Sequence, residues 1–214
     1  MNGTDFVLVR HGETEWHAEN RYAGSSDIAL TRLGVEQAQP LAHWAAHARP
    51  SLVVSSDLLR AVRTAEPAAE AAGVPLRVES GLREVHFGRG EGMTQREMAA
   101  EFPEALDRFR AAPLSRAIRC RRVKQVSRQR SALSRRCTPC APTTQESWSW
   151  VVGAHSTLIR LVLCSLLDIP MDSYRRVFPA VHNVALSTVR LTDRGAALLA
   201  YNVPPPPTSP RRLR

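Results

Sequence analysis

Arg10, His11 and Gly12 stand in succession at the end of a short apolar run, Phe6-Val7-Leu8-Val9, and Glu13 and Thr14 follow them. A guanidinium beside an imidazole can hold an anion next to a nucleophile or proton carrier, and a glycine there lets the backbone turn and approach a ligand closely. The pattern recurs twice. Leu52-Val53-Val54 leads into Ser55-Ser56-Asp57 with Arg60 just beyond, and Val151-Val152-Gly153-Ala154 leads into His155-Ser156. Two histidines and two arginines therefore stand at or just after the ends of three apolar runs, a set suited to a phosphate-bearing ligand.

The elements that must position them follow from the same pattern. Apolar runs bounded by polar residues predict strands of a parallel sheet covered on both faces. In open α/β sheets, ligands bind outside the carboxyl ends of the strands, which is where these side chains fall. Residues 58–72 are predicted as a helix capped by Ser56 or Asp57, with Arg60 in its first turn near the positive helix end. Residues 157–167 read as an apolar helix after His155, and residues 74–78 as a strand preceding Glu84. Residues 36–48 and 96–110 carry helical patterns, with Trp44 and Phe109 read as core. Residues 187–191 and 196–201 predict a closing hairpin around Asp193-Arg194-Gly195.

Several stretches carry a resemblance to a known family. Arg10-His11-Gly12-Glu13-Thr14-Glu15-Trp16, Asn20-Arg21-Tyr22-Ala23-Gly24, Leu30-Thr31-Arg32-Leu33-Gly34, Ser55-Ser56-Asp57-Leu58-Leu59-Arg60-Ala61 with Thr64-Ala65, and Leu82-Arg83-Glu84 with Phe87-Gly88 and Glu91-Gly92 occur in order. In these the chain resembles the histidine phosphatase superfamily, also called phosphoglycerate mutase-like, over residues 5–112 and about 151–202. The fold implied is a three-layer α/β sandwich with a mainly parallel central sheet, in a single domain over residues 1–203.

The activity implied is hydrolysis of small phosphomonoesters through a phosphohistidine. Phosphoryl transfer depends on positioning and charge stabilisation, which Arg10, Arg60 and His155 can supply. The resemblance assigns His11 as the nucleophile and Glu84 as the acid that protonates the leaving alkoxide and then activates water. It implies substrate contacts from Thr14, His17, Asn20, Arg21, Gly24 and Ser156. His17 stands where the family usually has asparagine, as a substitute donor or the mark of a different substrate. Mutases of the family usually carry Arg-His-Tyr-Gly after the glutamate. Glu84-Val85-His86-Phe87-Gly88 and the modest length favour a phosphatase, with His86, Phe87 and Arg89 beside the substrate entrance. No cofactor and no metal is expected, since no convincing carboxylate cluster is present. The expected partner is a small phosphorylated substrate, without nucleic acid or membrane, and a homodimer is left open.

Composition bounds the rest. The 214 residues suit one α/β domain, 43% are hydrophobic, and no run approaches the ~20 apolar residues of a membrane span. The chain enters its first strand without a signal peptide, so a cytoplasmic location is expected. The net charge of +9 would suggest an acidic partner, but residues 113–150 hold nine Lys and Arg against Glu146 alone, hence +8 of the total. This stretch also holds Cys120, Cys137, Cys140, Trp148 and Trp150 and shows neither helical nor strand period. It could be a basic RNA-binding or membrane-surface insert. The Cys137-Thr138-Pro139-Cys140 pair could be half a metal or redox site, but no second pair follows at a usable spacing.

A frame-shifted or disordered segment accounts for these features together. Back-translating Cys120-Arg121-Arg122-Val123-Lys124 one base later yields Ala-Gly-Glu-Ser, and the resemblance implies a Gly-Glu-Ser contact to the substrate phosphate near here. Thr144 to Trp150, read from the third base of the first codon, becomes Pro-Gly-Val-Leu-Val-Val, a turn and a buried strand. Residues 204–214, Pro-rich then basic, read as a disordered tail. Replacing residues 113–150 by the frame-corrected segment is expected to raise both the thermal unfolding midpoint and phosphatase turnover. Protease resistance of the native segment together with stoichiometric zinc or RNA binding would overturn the frame reading.

Overall fold

The computed structural model describes residues 3–104, 106–107 and 148–207. Among these, six strands form one sheet: β1 (Thr4–Arg10), β2 (Leu52–Ser55), β3 (Leu76–Val78), β4 (Trp148–Ala154), β5 (Leu186–Thr192) and β6 (Gly195–Val203). Their order across the sheet is β3-β2-β4-β1-β5-β6. The first four run parallel, while β5 is antiparallel to β1 and to β6. The sequence-predicted hairpin is therefore present as β5 and β6.

Alternation along the central strands decides which helix covers which face. Phe6 and Leu8 of β1, Leu52 and Val54 of β2 and Val152 and Ala154 of β4 turn to one side, where they pack with Leu158, Ile159, Val162 and Leu163. The last four belong to α4 (Ser156–Leu166), and the short α5 (Tyr174–Val177) joins the same core. Val7, Val9, Val53 and Val151 turn the other way, against Leu41 and Ala45 of α1 (Arg32–Ala48) and Ala65, Ala68 and Ala69 of α2 (Leu59–Ala72). Both faces of the strands are apolar because both are covered, which makes the sandwich three-layered. A further helix, α3 (Gln95–Glu101), opens with a capping box between Thr94 and Glu97.

Several boundaries differ from the sequence reading. α1 begins at Arg32, four residues early, because Thr31 accepts from the Gly34 N–H at 3.0 Å and caps it. Trp44 is half-buried against the α1–α2 core, while Phe109 lies outside the described residues. α3 ends at Glu101 rather than continuing unbroken, and β3 is shorter than residues 74–78. β4 begins at Trp148, inside the stretch that shows no strand period. Its backbone pairs Trp148, Ser149 and Trp150 with Thr4, Asp5 and Phe6, and the Trp150 ring stands edge-on to Phe6 at 5.3 Å. Ladder bonds need no side-chain alternation, and tryptophan suits a pleated, half-buried surface. Residues 113–147 lie outside the described residues, as do residues 208–214 of the expected tail.

The cap of α2 also comes from an unexpected place. The N-cap position is Leu58, and neither Ser56 nor Asp57 caps the helix through its side chain. Asp57 is instead paired with Arg83 at 2.7 Å. The Leu59 N–H donates to Asp27 at 2.8 Å, so the capping carboxylate arrives from the loop before α1. Asp27→Ala is expected to lower unfolding free energy by about 1 kcal/mol, the usual worth of an N-terminal cap, in urea titration. A midpoint shift matching that of Asp57→Ala would place the cap elsewhere.

Candidate active site

β1, β4 and β2 deliver their carboxyl ends side by side. Arg10 lies opposite Ala154 in the ladder, and Ser55 opposite Gly153. The next residues extend this register, with the His11 N–H donating to Ala154 O at 3.1 Å and the Ser56 N–H to Gly153 O at 2.9 Å. Gly12 then meets the first turn of α1 so closely that a Cβ would lie 2.4 Å from Gly34 O, which demands glycine at this crossing. Its N–H donates to Thr64 Oγ1 at 3.0 Å, and that hydroxyl donates to Arg60 O at 2.7 Å, tying the loop after β1 to α2.

A cavity of about 480 Å³ opens on these strand ends. Of the sequence-predicted site residues, Arg10, His11, Thr14, His17, Asn20, Arg21, Gly24, Arg60, Glu84 and Ser156 line it. His155 lies behind that surface, fully buried, with its ring centroid 5.2 Å from that of His11. Of the three residues read as flanking the entrance, Phe87 lines the cavity and His86 and Arg89 do not.

The His11 tautomer follows from its partner. Nδ1 lies 2.7 Å from Gly12 O. A carbonyl only accepts, so Nδ1 carries the hydrogen and Nε2 keeps the lone pair. Asn183 holds the backbone from behind, donating from Nδ2 to His11 O at 2.8 Å. Burial, then the nearby His155, Arg10 and Arg60, pushes the His11 imidazole well below its ordinary 6.5. His155 is pushed the same way by burial and by Arg60 and Arg10. Both rings are neutral at pH 7, the state in which Nε2 can act as a nucleophile.

The cations are held by backbone carbonyls. Arg60, with no exposed surface, donates from Nη1 to Ser26 O at 2.5 Å and from Nη2 to Gly24 O at 2.7 Å. Arg10 donates from Nη1 to Val181 O at 2.7 Å, and its Nη2 lies 2.5 Å from His17 Nε2. Burial lowers both guanidinium values, that of Arg10 to about 10, so both remain charged. The buried Nε atoms of Arg10, Arg60 and Arg160 and both ring nitrogens of His155 have no hydrogen-bond partner among the described residues. Buried donors of this kind are normally paired, and an oxyanion would pair them.

Glu84, 7% exposed, ties the two halves of the site together. Its Oε1 accepts from Val85 N at 2.9 Å and Leu158 N at 3.0 Å, and Oε2 accepts from Thr157 N at 2.9 Å. The carboxylate thereby caps the first turn of α4 while facing the cavity, and Oε2 retains a lone pair able to carry a proton.

Some predicted contacts are already committed within the protein. Arg21 is paired with Glu19 at 2.8 Å and with Glu97 at 2.8 Å, and it donates to Gly92 O at 2.7 Å. Gly24, at φ +48°, lies over the Glu91 carboxylate, where a Cβ would fall 2.1 Å from an oxygen. Glu91 in turn accepts from Ser25, Ser26 and Phe87. Burial opposes ionisation of Glu91, but these donors outweigh it and hold its carboxyl below the ordinary value.

Sequence reasoning missed Arg160, Thr157 and Trp16, all in the cavity wall, and Asn183 behind His11. The signal for Arg160 was present as the one charged residue in the apolar helix Ser156–Leu166. Asn183 carries no local signal, because its role depends on the β5 side of the sheet returning to β1. Among the described residues, no group of three or more His, Cys, Asp and Glu side chains is placed to hold a metal ion, and no helix is long and apolar enough to cross a membrane.

The profile of the histidine phosphatase superfamily (branch 1) matches residues 6–204. The chain belongs to this superfamily. It is 34% identical over 178 residues, 78% of its length and 76% of the relative's, to the glucosyl-3-phosphoglycerate phosphatase of Mycolicibacterium vanbaalenii. Over 81 residues, 38% of each protein, it is 47% identical to the "Probable phosphoglycerate mutase GpmB" of Escherichia coli. Its fold matches that of a mycobacterial glucosyl-3-phosphoglycerate phosphatase in complex with VO3, at a TM-score of 0.79 and 25% identity over 93% of this chain and 99% of that one. The chain is thus a phosphomonoesterase-type member of the superfamily.

The two neutral histidines make stability depend on pH. An unfolded imidazole titrates near 6.5, and the folded state refuses those protons, so stability is lost as pH falls below about 6.5, by up to about 1.4 kcal/mol per unit for each ring. The thermal midpoint is expected to drop between pH 7 and pH 5, and His155→Gln to flatten that slope. An identical slope in wild type and variant would show that His155 is not buried neutral.

Proposed function

We propose that the protein hydrolyses small phosphorylated metabolites, with His11, Arg10, Arg60, His155 and Glu84 as its catalytic group. The observation that carries this reading is the His11 tautomer: Nε2 holds a lone pair beside buried cations whose remaining donors have no partner among the described residues. His11 Nε2 attacks phosphorus and the bond to the alcohol oxygen breaks, giving a phosphohistidine. Glu84 supplies the proton that the departing alkoxide takes up. Water then attacks the phosphohistidine, its proton passes to Glu84, and the phosphorus–nitrogen bond breaks to release phosphate. Arg10 and Arg60 face the phosphoryl oxygens as charge accumulates on them, and His155 stands behind the cavity wall beside His11.

Thr14, His17, Asn20, Gly24 and Ser156 are proposed to shape the phosphoryl chamber, and Arg21 to fix the loop after β1 through its glutamates. No metal or other cofactor enters this reading, the location proposed is cytoplasmic, and the residues are proposed to form one domain. The relatives named as phosphatases favour hydrolysis over mutase-type transfer. Residues 113–150 are proposed to be out of frame, which the sequence of the coding DNA decides directly; a correct frame would leave a non-catalytic or defective member.

Labelled substrate and acid quench are expected to trap an acid-labile, base-stable adduct on His11. Glu84→Gln is expected to slow alkyl esters at least about a hundredfold and nitrophenyl phosphate far less, because only the alkoxide needs the proton. Label on serine, or equal losses on both ester types, would sink the mechanism.

A further inference from the structure

A second cavity of about 280 Å³ adjoins the phosphoryl chamber and shares Tyr22 and Phe87 with it. These two rings meet edge to face, 5.0 Å apart at 77°, so an aromatic pair forms the threshold between the chambers. Beyond it the wall is Met98, Phe102 and Leu106, with Gly90 beneath and Arg89 at the rim. A Cβ at residue 90 would lie 2.6 Å from Met98 Sδ, so the glycine is what seats Met98 in the wall. Arg89 adds no unpaired charge, being bound to Glu101 at 2.9 Å and stacked over Phe102 at 5.5 Å.

The charge of the first chamber bears on what the second receives. Among the described residues lining it are Arg10, Arg60 and Arg160, which suit the phosphoryl dianion, while Arg21 is held by Glu19 and Glu97. In the second cavity the one cation among the described lining residues is Arg89, already bound to Glu101. A carboxylate or second phosphate reaching that cavity would have aromatic rings and Met98 for neighbours.

Building on the phosphatase reading above, we propose that the second chamber is the leaving-group subsite and that the substrates are phosphomonoesters of apolar or aryl-bearing alcohols rather than of carboxylated or multiply charged ones. The alcohol carbon chain crosses between Tyr22 and Phe87 and buries its end against Met98, Phe102 and Leu106. Burial there removes apolar surface from water, and the polarisable thioether of Met98 adapts to the shape of the group. The distinction matters because the curated relative's name specifies a carboxylated substrate.

The test uses the full chain and esters whose leaving groups are all alkoxides, so that chemistry is held constant. The value of kcat/KM for 2-phenylethyl phosphate is expected to exceed those for glycerol 1-phosphate and 3-phosphoglycerate by at least about tenfold, the scale on which apolar pockets discriminate. Met98→Trp, which fills the chamber, and Phe102→Ser, at a half-buried position, are each expected to raise KM for 2-phenylethyl phosphate while leaving inhibition by inorganic phosphate unchanged. Calorimetry with 2-phenylethylphosphonate, methylphosphonate and 2-carboxyethylphosphonate reads the chamber without turnover, and the first is expected to bind at least about tenfold more tightly than the others. Equal binding of all three, or preference for the carboxylated compound, overturns the proposal even if every ester is hydrolysed. Tight binding of the phenyl compound with no ester turned over supports the subsite and overturns the hydrolytic reading instead.

Discussion

The structure depends on two arginines kept charged in the protein interior. A buried guanidinium is tolerated only where its donors find partners, and here the partners are main-chain carbonyls: Gly24 and Ser26 for Arg60, Val181 for Arg10. Each bond fixes a loop as much as it fixes the cation. The loop before α1 and the segment leading into β5 are thus gathered over the strand ends by the charges they surround. Burial first, and the same charges after it, keep His11 and His155 neutral, so one arrangement both anchors the loops and sets the state of the rings.

Carboxylates complete that arrangement from the other side. Glu84 is bound by the first turn of α4 and stands within the field of both arginines. Glu91, wrapped by Ser25, Ser26 and Phe87, holds the loop whose carbonyls receive Arg60. The path from Glu91 to Arg60 is one of hydrogen bonds. Rigidity at the cavity therefore rests in part on Glu91, Ser25 and Ser26, which are not among its lining residues, in keeping with the sensitivity of positioning to displacements of about 1 Å.

Much of the site was legible because its signals are local. An apolar run that ends in Arg10-His11-Gly12, or in His155-Ser156, states both a strand and what stands at its end, since a strand buried on both faces has no alternation to disguise it. The cavity accordingly contains ten of the predicted site residues, with His155 directly behind them. Signals depending on a partner far along the chain were misread. The sequence points to Ser56 or Asp57 as the cap of α2, but Asp57 is drawn to Arg83 and the capping carboxylate is Asp27, 32 residues before Leu59. The start of β4 was hidden because Trp148-Ser149-Trp150 follows a basic stretch without period, and only the neighbouring ladder of β1 shows it to be strand.

By itself, then, the sequence determined the strand ends, which charged and imidazole side chains stand at them, and the sandwich, because strand burial, turn-forming glycine and charge type are properties of neighbouring residues. Tertiary structure decided the rest. The lowered basicity of His11 comes first from burial and then from His155, Arg10 and Arg60, of which His155 and Arg60 arrive from distant parts of the chain. Arg21, implied as a ligand contact, is spent on Glu19 and Glu97, while Arg160, the one charged residue of an apolar helix, stands at the cavity wall. Electrostatics and hydrogen bonding act through space, so whether a charged side chain is available or already satisfied is settled only when the chain has brought its partners together.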